Sequence, residues 1–337
     1  MGFSFSRNVC RVIVRRRPGT ALVTGVTGQD GVYLARSLVA DGHRVVGVAS
    51  PGSATLAARR VYLDGVEIEE ADVRDAAALA CLVEKAEPDL VFNLAAFSSV
   101  GRSWAEPELA VAVNQTAVEV LVAAALDLRA RTGREVRLFQ ASSAEVSGEA
   151  TASPYARSKA AAEQVVRDAR DSAGLHASIG RLYIHESPLR PATFVSRKIT
   201  RTVAEIALGK QDRLVLGTLD VVRDWGYAAD YVEAMRLMVD LDVPTDLPLG
   251  TGRPHSLRDL VTLASEAAGL ADGLSHLEQD PDLVRPADTP VLVADPEPAA
   301  AALGWRAATR LDELVGRMVR VDLERLRSGV EERVDYL

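Results

Sequence analysis

Tyr155 and Lys159 stand four residues apart, behind Ser143 and Glu145, and these four residue types in this order are the parts of an acid-base site for hydride transfer. On a helix, positions four apart share a face, so the phenol and the ammonium can meet over one ligand. A phenol titrates near pH ~10 when unperturbed and is a poor base at neutrality, but a neighbouring ammonium favours the phenolate. Ser143 follows the apolar run Val136–Gln140, where a hydroxyl can share a hydrogen bond with a substrate oxygen. Glu145 can take a proton from carbon or give one to a departing hydroxyl. A simple dehydrogenation has no use for that second proton-handling group, so Glu145 is the clue to the reaction. Read singly, Tyr155 and Lys159 could equally be surface residues of a helix that starts after Pro154.

Such a site needs a cofactor, and the chain opens with a suitable element. Thr20–Thr24 reads as a short buried strand running into Gly25-Val-Thr-Gly28-Gln-Asp-Gly31, after which helical periodicity resumes through Val32, Leu34, Ala35, Leu38 and Val39. In a strand-turn-helix of this kind Gly25 permits the tight turn, Gly28 lets the backbone approach a pyrophosphate, and Gly31 allows close helix-sheet packing. An acidic residue about 20 positions on would hold the ribose hydroxyls of NAD. The strand His43–Ala49 instead runs into Ser50-Pro51-Gly52-Ser53 without a carboxylate. NADP is therefore expected, with NAD as the alternative, and Arg59 and Arg60 are the nearest candidate partners for a 2'-phosphate or else a solvated helix face.

The elements that must position these residues alternate. Val66–Val73 reads as a strand, Ala76–Lys85 as a helix, Asp89–Ala96 as a strand and Leu109–Leu128 as a long Ala/Val-rich helix; the strand Val136–Gln140, the helix Pro154–Asp171 and the strand Ala177–Tyr183 follow. The pattern specifies an α/β chain, a Rossmann-type doubly wound parallel sheet. Past Glu186 the alternation gives way to prolines between short helical segments. Ligands in such folds bind beyond the carboxyl ends of the strands, so the second half is expected to cover that edge as a smaller C-terminal substrate-binding lobe. The expected organisation is a basic extension over 1–18, a dinucleotide-binding domain with the catalytic residues over 19–186, and a substrate lobe over 187–337 that returns in part to the first core.

Composition agrees with an enzyme of this class. With 337 residues and 48% apolar content the chain can bury a large core, and a net charge of −8 gives nucleic-acid binding no electrostatic support. Two cysteines, Cys10 and Cys81, are too few for a disulfide framework or a zinc site, so no metal is expected and a reducing cytoplasm is the simplest setting. No apolar run reads as a membrane span. Arg7, Arg11, Arg15, Arg16 and Arg17 mark the first segment as a surface extension, with a transit peptide or a loosely matched myristoylation signal at Gly2 as alternatives.

The chain after this extension resembles the extended short-chain dehydrogenase/reductases, and within them the GDP-mannose 4,6-dehydratase family. The resemblance is carried by Thr24-Gly-Val-Thr-Gly-Gln-Asp-Gly31, Asn93-Leu-Ala-Ala96, Gln140-Ala-Ser-Ser-Ala-Glu145, Tyr155-Ala-Arg-Ser-Lys159, His185-Glu-Ser-Pro188, Phe194-Val-Ser-Arg-Lys198, Leu216-Gly-Thr-Leu-Asp220, Arg223-Asp-Trp-Gly226, Asp230-Tyr-Val-Glu-Ala-Met235 and Arg285-Pro286. It implies a redox-neutral lyase reaction on a nucleotide sugar. Tyr155 with Lys159 takes the 4-hydroxyl proton as hydride leaves C4, Glu145 takes the C5 proton and assists loss of the C6 hydroxyl as water, and hydride returns to C6. Cofactor contacts are implied for Gly25, Thr27, Gly28, Gln29, Asp30, Gly31, Asp72, Val73, Leu94, Ala95, Ala96, Ser98, Tyr155, Lys159, His185 and Arg190. Substrate contacts are implied for Ser98, Ser143, Glu145, Val195, Lys198, Arg223, Arg285 and Asp288.

Several positions depart from the family pattern. Ser143 replaces the usual threonine, Ile184 an asparagine, Ser99 a histidine and Ser50-Pro51 a pair of arginines; the segment between Gly148 and Pro154 is short. Loss of the asparagine amide leaves a related nucleotide sugar as an alternative to GDP-mannose. A 4-keto-sugar reductase or 4-epimerase keeps the Tyr-Lys pair and has no need of Glu145, and a non-catalytic NADP-binding protein has no need of either. A homodimer is expected, paired through the Leu109–Leu128 helix and the helix bearing Tyr155, rather than a tetramer.

Overall fold

The computed structural model describes residues 17–146, 153–283 and 291–337. The first half alternates as β1 (Thr20–Thr24), α1 (Gln29–Ala40), β2 (Arg44–Ala49), α2 (Ala54–Arg59), β3 (Val66–Glu70), α3 (Ala76–Ala86) and β4 (Leu90–Asn93). Then come α4 (Val100–Ser103), α5 (Pro107–Val111), α6 (Ala117–Thr132), β5 (Arg137–Ser143), α7 (Pro154–Ala173) and β6 (His176–Leu182). A seventh strand arrives much later. The second half holds β7 (His185–Glu186), α8 (Val195–Ala207), β8 (Leu214–Leu216), β9 (Val222–Asp224), β10 (Gly226–Tyr227), α9 (Ala228–Asp240) and β11 (Asp246–Leu249). It ends with β12 (Pro254–Ser256), α10 (Leu257–Ala267), β13 (Leu277–Gln279), β14 (Val291–Leu292), α11 (Glu297–Leu303) and α12 (Leu311–Ser328).

The main sheet is parallel throughout, in the order β11-β6-β5-β4-β1-β2-β3. Chain direction across the sheet reverses between β1 and β4, and both strands there are buried on each face. Alternate residues of β1 supply two cores. Ala21 and Val23 pack with Val32, Leu38, Met235 and Met238 from α1 and α9, while Leu22 packs with Leu79, Leu121 and Val166 from α3, α6 and α7. A third core, including Ile199, Leu260 and Met318, joins α8, α10 and α12.

Three expectations need correcting. The helix expected over Leu109–Leu128 is interrupted: Ala112–Thr116 is a π-helical turn between α5 and α6, and it turns Asn114 into the interior, where its side chain bonds Phe97 N (2.9 Å), the Phe97 carbonyl (3.1 Å) and Ser158 Oγ (3.1 Å). The helical run Pro107–Thr132 is also long and apolar enough, by length and composition, to cross a membrane, contrary to the reading that no run was. Ala117, Val118, Leu121, Val122, Ala125 and Leu128 instead bury one face of α6 in the second core. Among the described residues the proline-broken second half likewise contains four helices of eleven residues or more, α8, α9, α10 and α12.

Candidate active site

Buried polar side chains tie the ends of β1 and β4 to β5 at one edge of the sheet. Thr24 Oγ1 donates to Asn93 Oδ1 (2.6 Å) and accepts from the Leu94 and Ala95 amides (3.2 and 3.1 Å). Asn93 Nδ2 donates to Gln140 Oε1 (2.8 Å), and Gln140 Nε2 donates to the Ala141 carbonyl (2.9 Å). Thr24, Asn93 and Gln140 are all at most 2% exposed, so each bond satisfies a group that would otherwise be left costly in the interior. The ladder ties the ends of β1 and β4, at Thr24 and Asn93, to Gln140 within β5, which runs on to Ser143. A polar residue closing each of the apolar runs before Thr24, Asn93 and Gln140 was the available sequence signal for it.

Tyr155 and Lys159 lie in the first two turns of α7. Ser153 caps that helix by accepting from Ala156 N (3.0 Å), with Pro154 at the first helical position. The Lys159 ammonium donates to the Ala141 carbonyl at 2.9 Å, the same oxygen that ends the polar ladder. Burial pushes Lys159 down to about 8, against the charge of Glu163 one turn on, which favours the ammonium. Burial raises Tyr155, its hydrogen bond with Ser143 lowers it, the charge of Glu145 raises it and that of Arg190 lowers it; the net direction is up. Tyr155, Ser143, Glu145 and Arg190 therefore share one neighbourhood. Ser143 is the last residue of β5, longer than the expected strand, and its Oγ accepts from Glu145 N (3.2 Å) across the tight turn Ala144–Val146.

The glycine turn closes on this group from the β1 side. Gly25 has φ +67°, and a Cβ there would lie 2.8 Å from Ala95 N; a Cβ on Gly31 would lie 2.3 Å from the Gly25 carbonyl. A backbone cradle so tight at the start of α1 fits a dinucleotide pyrophosphate. Asp30, at the same helix start, keeps one buried oxygen, Oδ1, without a hydrogen-bond partner among the described residues. Its Oδ2 lies 2.9 Å from His185 Nε2, and His185 Nδ1 lies 2.7 Å from the Tyr183 carbonyl. Gln29 is committed elsewhere: its Nε2 donates to the His185 carbonyl (2.8 Å) and its Oε1 accepts from Ser187 Oγ (3.0 Å), so its side chain joins the turn to β7.

The profile of the family described as GDP-mannose 4,6 dehydratase matches residues 22–318. The chain belongs to the GDP-mannose 4,6-dehydratase family. It is 37% identical to a GDP-mannose 4,6-dehydratase of Sinorhizobium fredii (strain HH103), over 91% of this chain and 97% of that protein. It is 36% identical to GDP-mannose 4,6 dehydratase 1 of Arabidopsis thaliana, over 90% of each. Among solved structures it resembles the UDP-glucose 4-epimerase of Thermus thermophilus in complex with NAD, with a TM-score of 0.75 and 26% identity over 89% of this chain and 99% of that one. An RMD from Pseudomonas aeruginosa complexed with NADPH shares the fold, with a TM-score of 0.73 and 22% identity over 92% and 99%.

In this member of the GDP-mannose 4,6-dehydratase family the segment after β7 is held by three arginines, Arg59, Arg197 and Arg325. The carbonyls of Pro188, Leu189 and Arg190 each accept from a guanidinium: Arg197 and Arg325 on Pro188 (2.8 and 2.9 Å), Arg59 on Leu189, and Arg197 on Arg190 (3.0 Å). Arg59 also donates to the Thr27 carbonyl (2.6 Å) and lies 3.6 Å from Glu332. That corrects its candidacy as a phosphate ligand, because the side chain is buried and occupied as a strut between the glycine turn, this segment and the C-terminal tail. Arg60 is exposed.

The other expected contacts are spread along the same edge. Asp72 and Val73 follow β3, with Asp72 paired to Arg74; Leu94 and Ala95 are half-buried, and Ala96 and Ser98 are exposed after β4. Arg190 stacks on Phe194, its guanidinium carbon 3.7 Å from the ring centroid, and lies 3.1 Å from buried Glu186. Val195 and Lys198 are half-buried in the first turn of α8. Arg223 is buried on β9, where Nη1 donates to the Val222 carbonyl (2.8 Å). Its neighbour Asp224, which sequence reading passed over, anchors the strand by accepting from Thr251 N, Thr251 Oγ1, Gly252 N and Ala294 N. Arg285 and Asp288 lie outside the described residues.

Proposed function

We propose that this chain is a hydro-lyase that converts GDP-mannose to its 4-keto-6-deoxy product with NADP held throughout, NAD being the alternative cofactor. The observation that carries the reading is Glu145 beside the Tyr155–Ser143 pair. NADP, held by its pyrophosphate at the glycine turn, would supply a hydride acceptor for C4 and the donor for C6. Tyr155 takes the proton of the 4-hydroxyl, and Ser143, hydrogen-bonded to Tyr155, steadies the C4 oxygen. Lys159 holds positive charge beneath both. The C4 ketone acidifies the C5 proton; Glu145 removes it and returns a proton to the C6 hydroxyl, which leaves as water. Hydride returned to C6 would leave an enolate that takes a proton at C5, balancing the one Tyr155 took from the 4-hydroxyl; oxidation at C4 is balanced by reduction at C6, so no outside reductant is consumed.

In the same proposal His185 and Arg190 would contact the cofactor, and Val195, Lys198, Arg223, Arg285 and Asp288 would hold the nucleotide sugar, the basic ones as diphosphate partners. Residues 187–337 would serve mainly as the substrate lobe. The working assembly would be a cytoplasmic homodimer paired through α6 and α7; exposed Trp104 and Val111 support the surface near α5 as part of its interface. Light scattering at micromolar concentration that returns only monomer would count against it.

The test of the reaction is mass spectrometry of GDP-mannose after incubation with the purified protein and no added reductant, with GDP-glucose, UDP-glucose and dTDP-glucose in parallel. Loss of one water from GDP-mannose is the expected result. Water loss from another sugar alone would keep the mechanism and change the substrate, and no loss from any would reject the lyase reading.

A further inference from the structure

The sequence offers no carboxylate where β2 ends, but the neighbouring strand delivers one. Ala49, the last residue of β2, pairs in register with Glu70, the last residue of β3. The turn that follows β2 closes through Ser53 N to the Ser50 carbonyl (3.2 Å), and Glu70 Oε2 accepts the Gly52 amide within it at 2.7 Å. This strand end is fastened to the dinucleotide turn: Val26 N donates to the Val48 carbonyl at 3.3 Å, and a Cβ on Gly47 would lie 2.7 Å from the Val26 side chain. In a βαβ dinucleotide unit the end of the second strand is where the adenosine ribose leaves the pyrophosphate cradle. An exposed carboxylate, Glu70, therefore stands at the end of β2, where a bound ribose would lie.

The cations of this corner are differently placed. Arg59 is buried and bonded to the Thr27 and Leu189 carbonyls beside Glu332. Arg74 wraps around Asp72 with its amide, Nε and Nη2 all donating to that carboxylate. Arg60 is exposed. A ribose 2'-hydroxyl can donate to a carboxylate, whereas a 2'-phosphate would bring two negative groups together.

We propose that Glu70 is a specificity-determining residue for the cofactor: it accepts the ribose 2'-hydroxyl and penalises the 2'-phosphate, so that NAD is taken alongside NADP. This rests on the dinucleotide half of the reading above and not on the dehydration chemistry, so a binding measurement tests it even where turnover is absent.

The experiment is calorimetric titration of the protein, freed of bound nucleotide, with NAD+ and with NADP+, together with Glu70→Gln, Glu70→Ala and Arg60→Ala. The wild type should bind the two within roughly tenfold of each other, the range over which an exposed charge acts. Glu70→Gln, which keeps an acceptor for the Gly52 amide, should tighten NADP+ by roughly threefold to tenfold, with the gain shrinking as salt is added, and should not tighten NAD+. Glu70→Ala should move the ratio the same way. A wild type that prefers NADP+ by more than about a hundredfold, unchanged in both Glu70 variants, overturns the proposal. So does an NADP+ preference that vanishes only in Arg60→Ala.

Discussion

Asp30 Oδ2 and His185 Nε2 lie 2.9 Å apart, joining the start of the first helix to a short strand 155 residues later. Burial by itself disfavours the imidazolium, but the Asp30 charge, its hydrogen bond and the Tyr183 carbonyl outweigh it, and the His185 pKa is raised. A raised folded-state pKa stabilises the protein fully below the unfolded histidine value, and the contribution is lost as pH rises through the folded value. Asp30→Asn should therefore lower Tm more at pH ~5.5 than at pH ~9. Equal losses at both would show that the pair is not ionised; the measurement is differential scanning calorimetry of the two proteins across that range.

Lys159 supplies a second pH dependence. Burial depresses its ammonium to about 8, so in the nucleotide-free protein the charge that the proposed mechanism sets in support of Tyr155 is lost as pH passes upward through that value. The basic limb of kcat/KM should fall near there. Glu163, which accepts from Ser142 (2.6 Å), Arg181 and Arg167, favours the charged form of Lys159. In Glu163→Gln the same limb should move to lower pH; a profile that keeps its position while only Tm falls would assign Glu163 a structural role.

Glu145 separates dehydration from cofactor handling. Glu145→Gln should lower turnover by about 10²–10⁴, the range for removing a general acid-base group, while the dissociation constant for the cofactor stays within about twofold. Exchange of the C5 hydrogen with solvent deuterium, followed by NMR, should vanish with it. Retained C5 exchange would move the base to another residue.

The arginine clamp makes a stability prediction. Arg197 is 7% exposed and pairs with fully buried Asp322 at 2.6 Å, an aspartate that also accepts from Thr200 and Arg325. Arg197→Ala should cost about 3–5 kcal/mol in denaturant unfolding because the buried Asp322 charge loses its closest cation and keeps only Arg325 at 3.4 Å. Arg197→Met with Asp322→Leu should cost less than either change made singly. Additive losses would mean that the two do not act as a pair.

The sequence by itself determined the alternating βα order, the glycine turn and the positions of Tyr155 and Lys159, because each depends on local spacing. Strand periodicity, helical i, i+4 geometry and the steric needs of Gly25 act within a few residues. Several polar groups were invisible to that reading. Asn114 faces the interior only because a π turn breaks the helix; Glu70 reaches the end of β2 only through register with a neighbouring strand; and Arg59, which from its sequence position could serve a phosphate, is consumed by carbonyls at Thr27 and Leu189. Which hydrogen-bond partner a long polar side chain takes is settled when distant segments pack and every buried donor and acceptor must be satisfied. That competition has no signature in local spacing, and only the tertiary structure decides it.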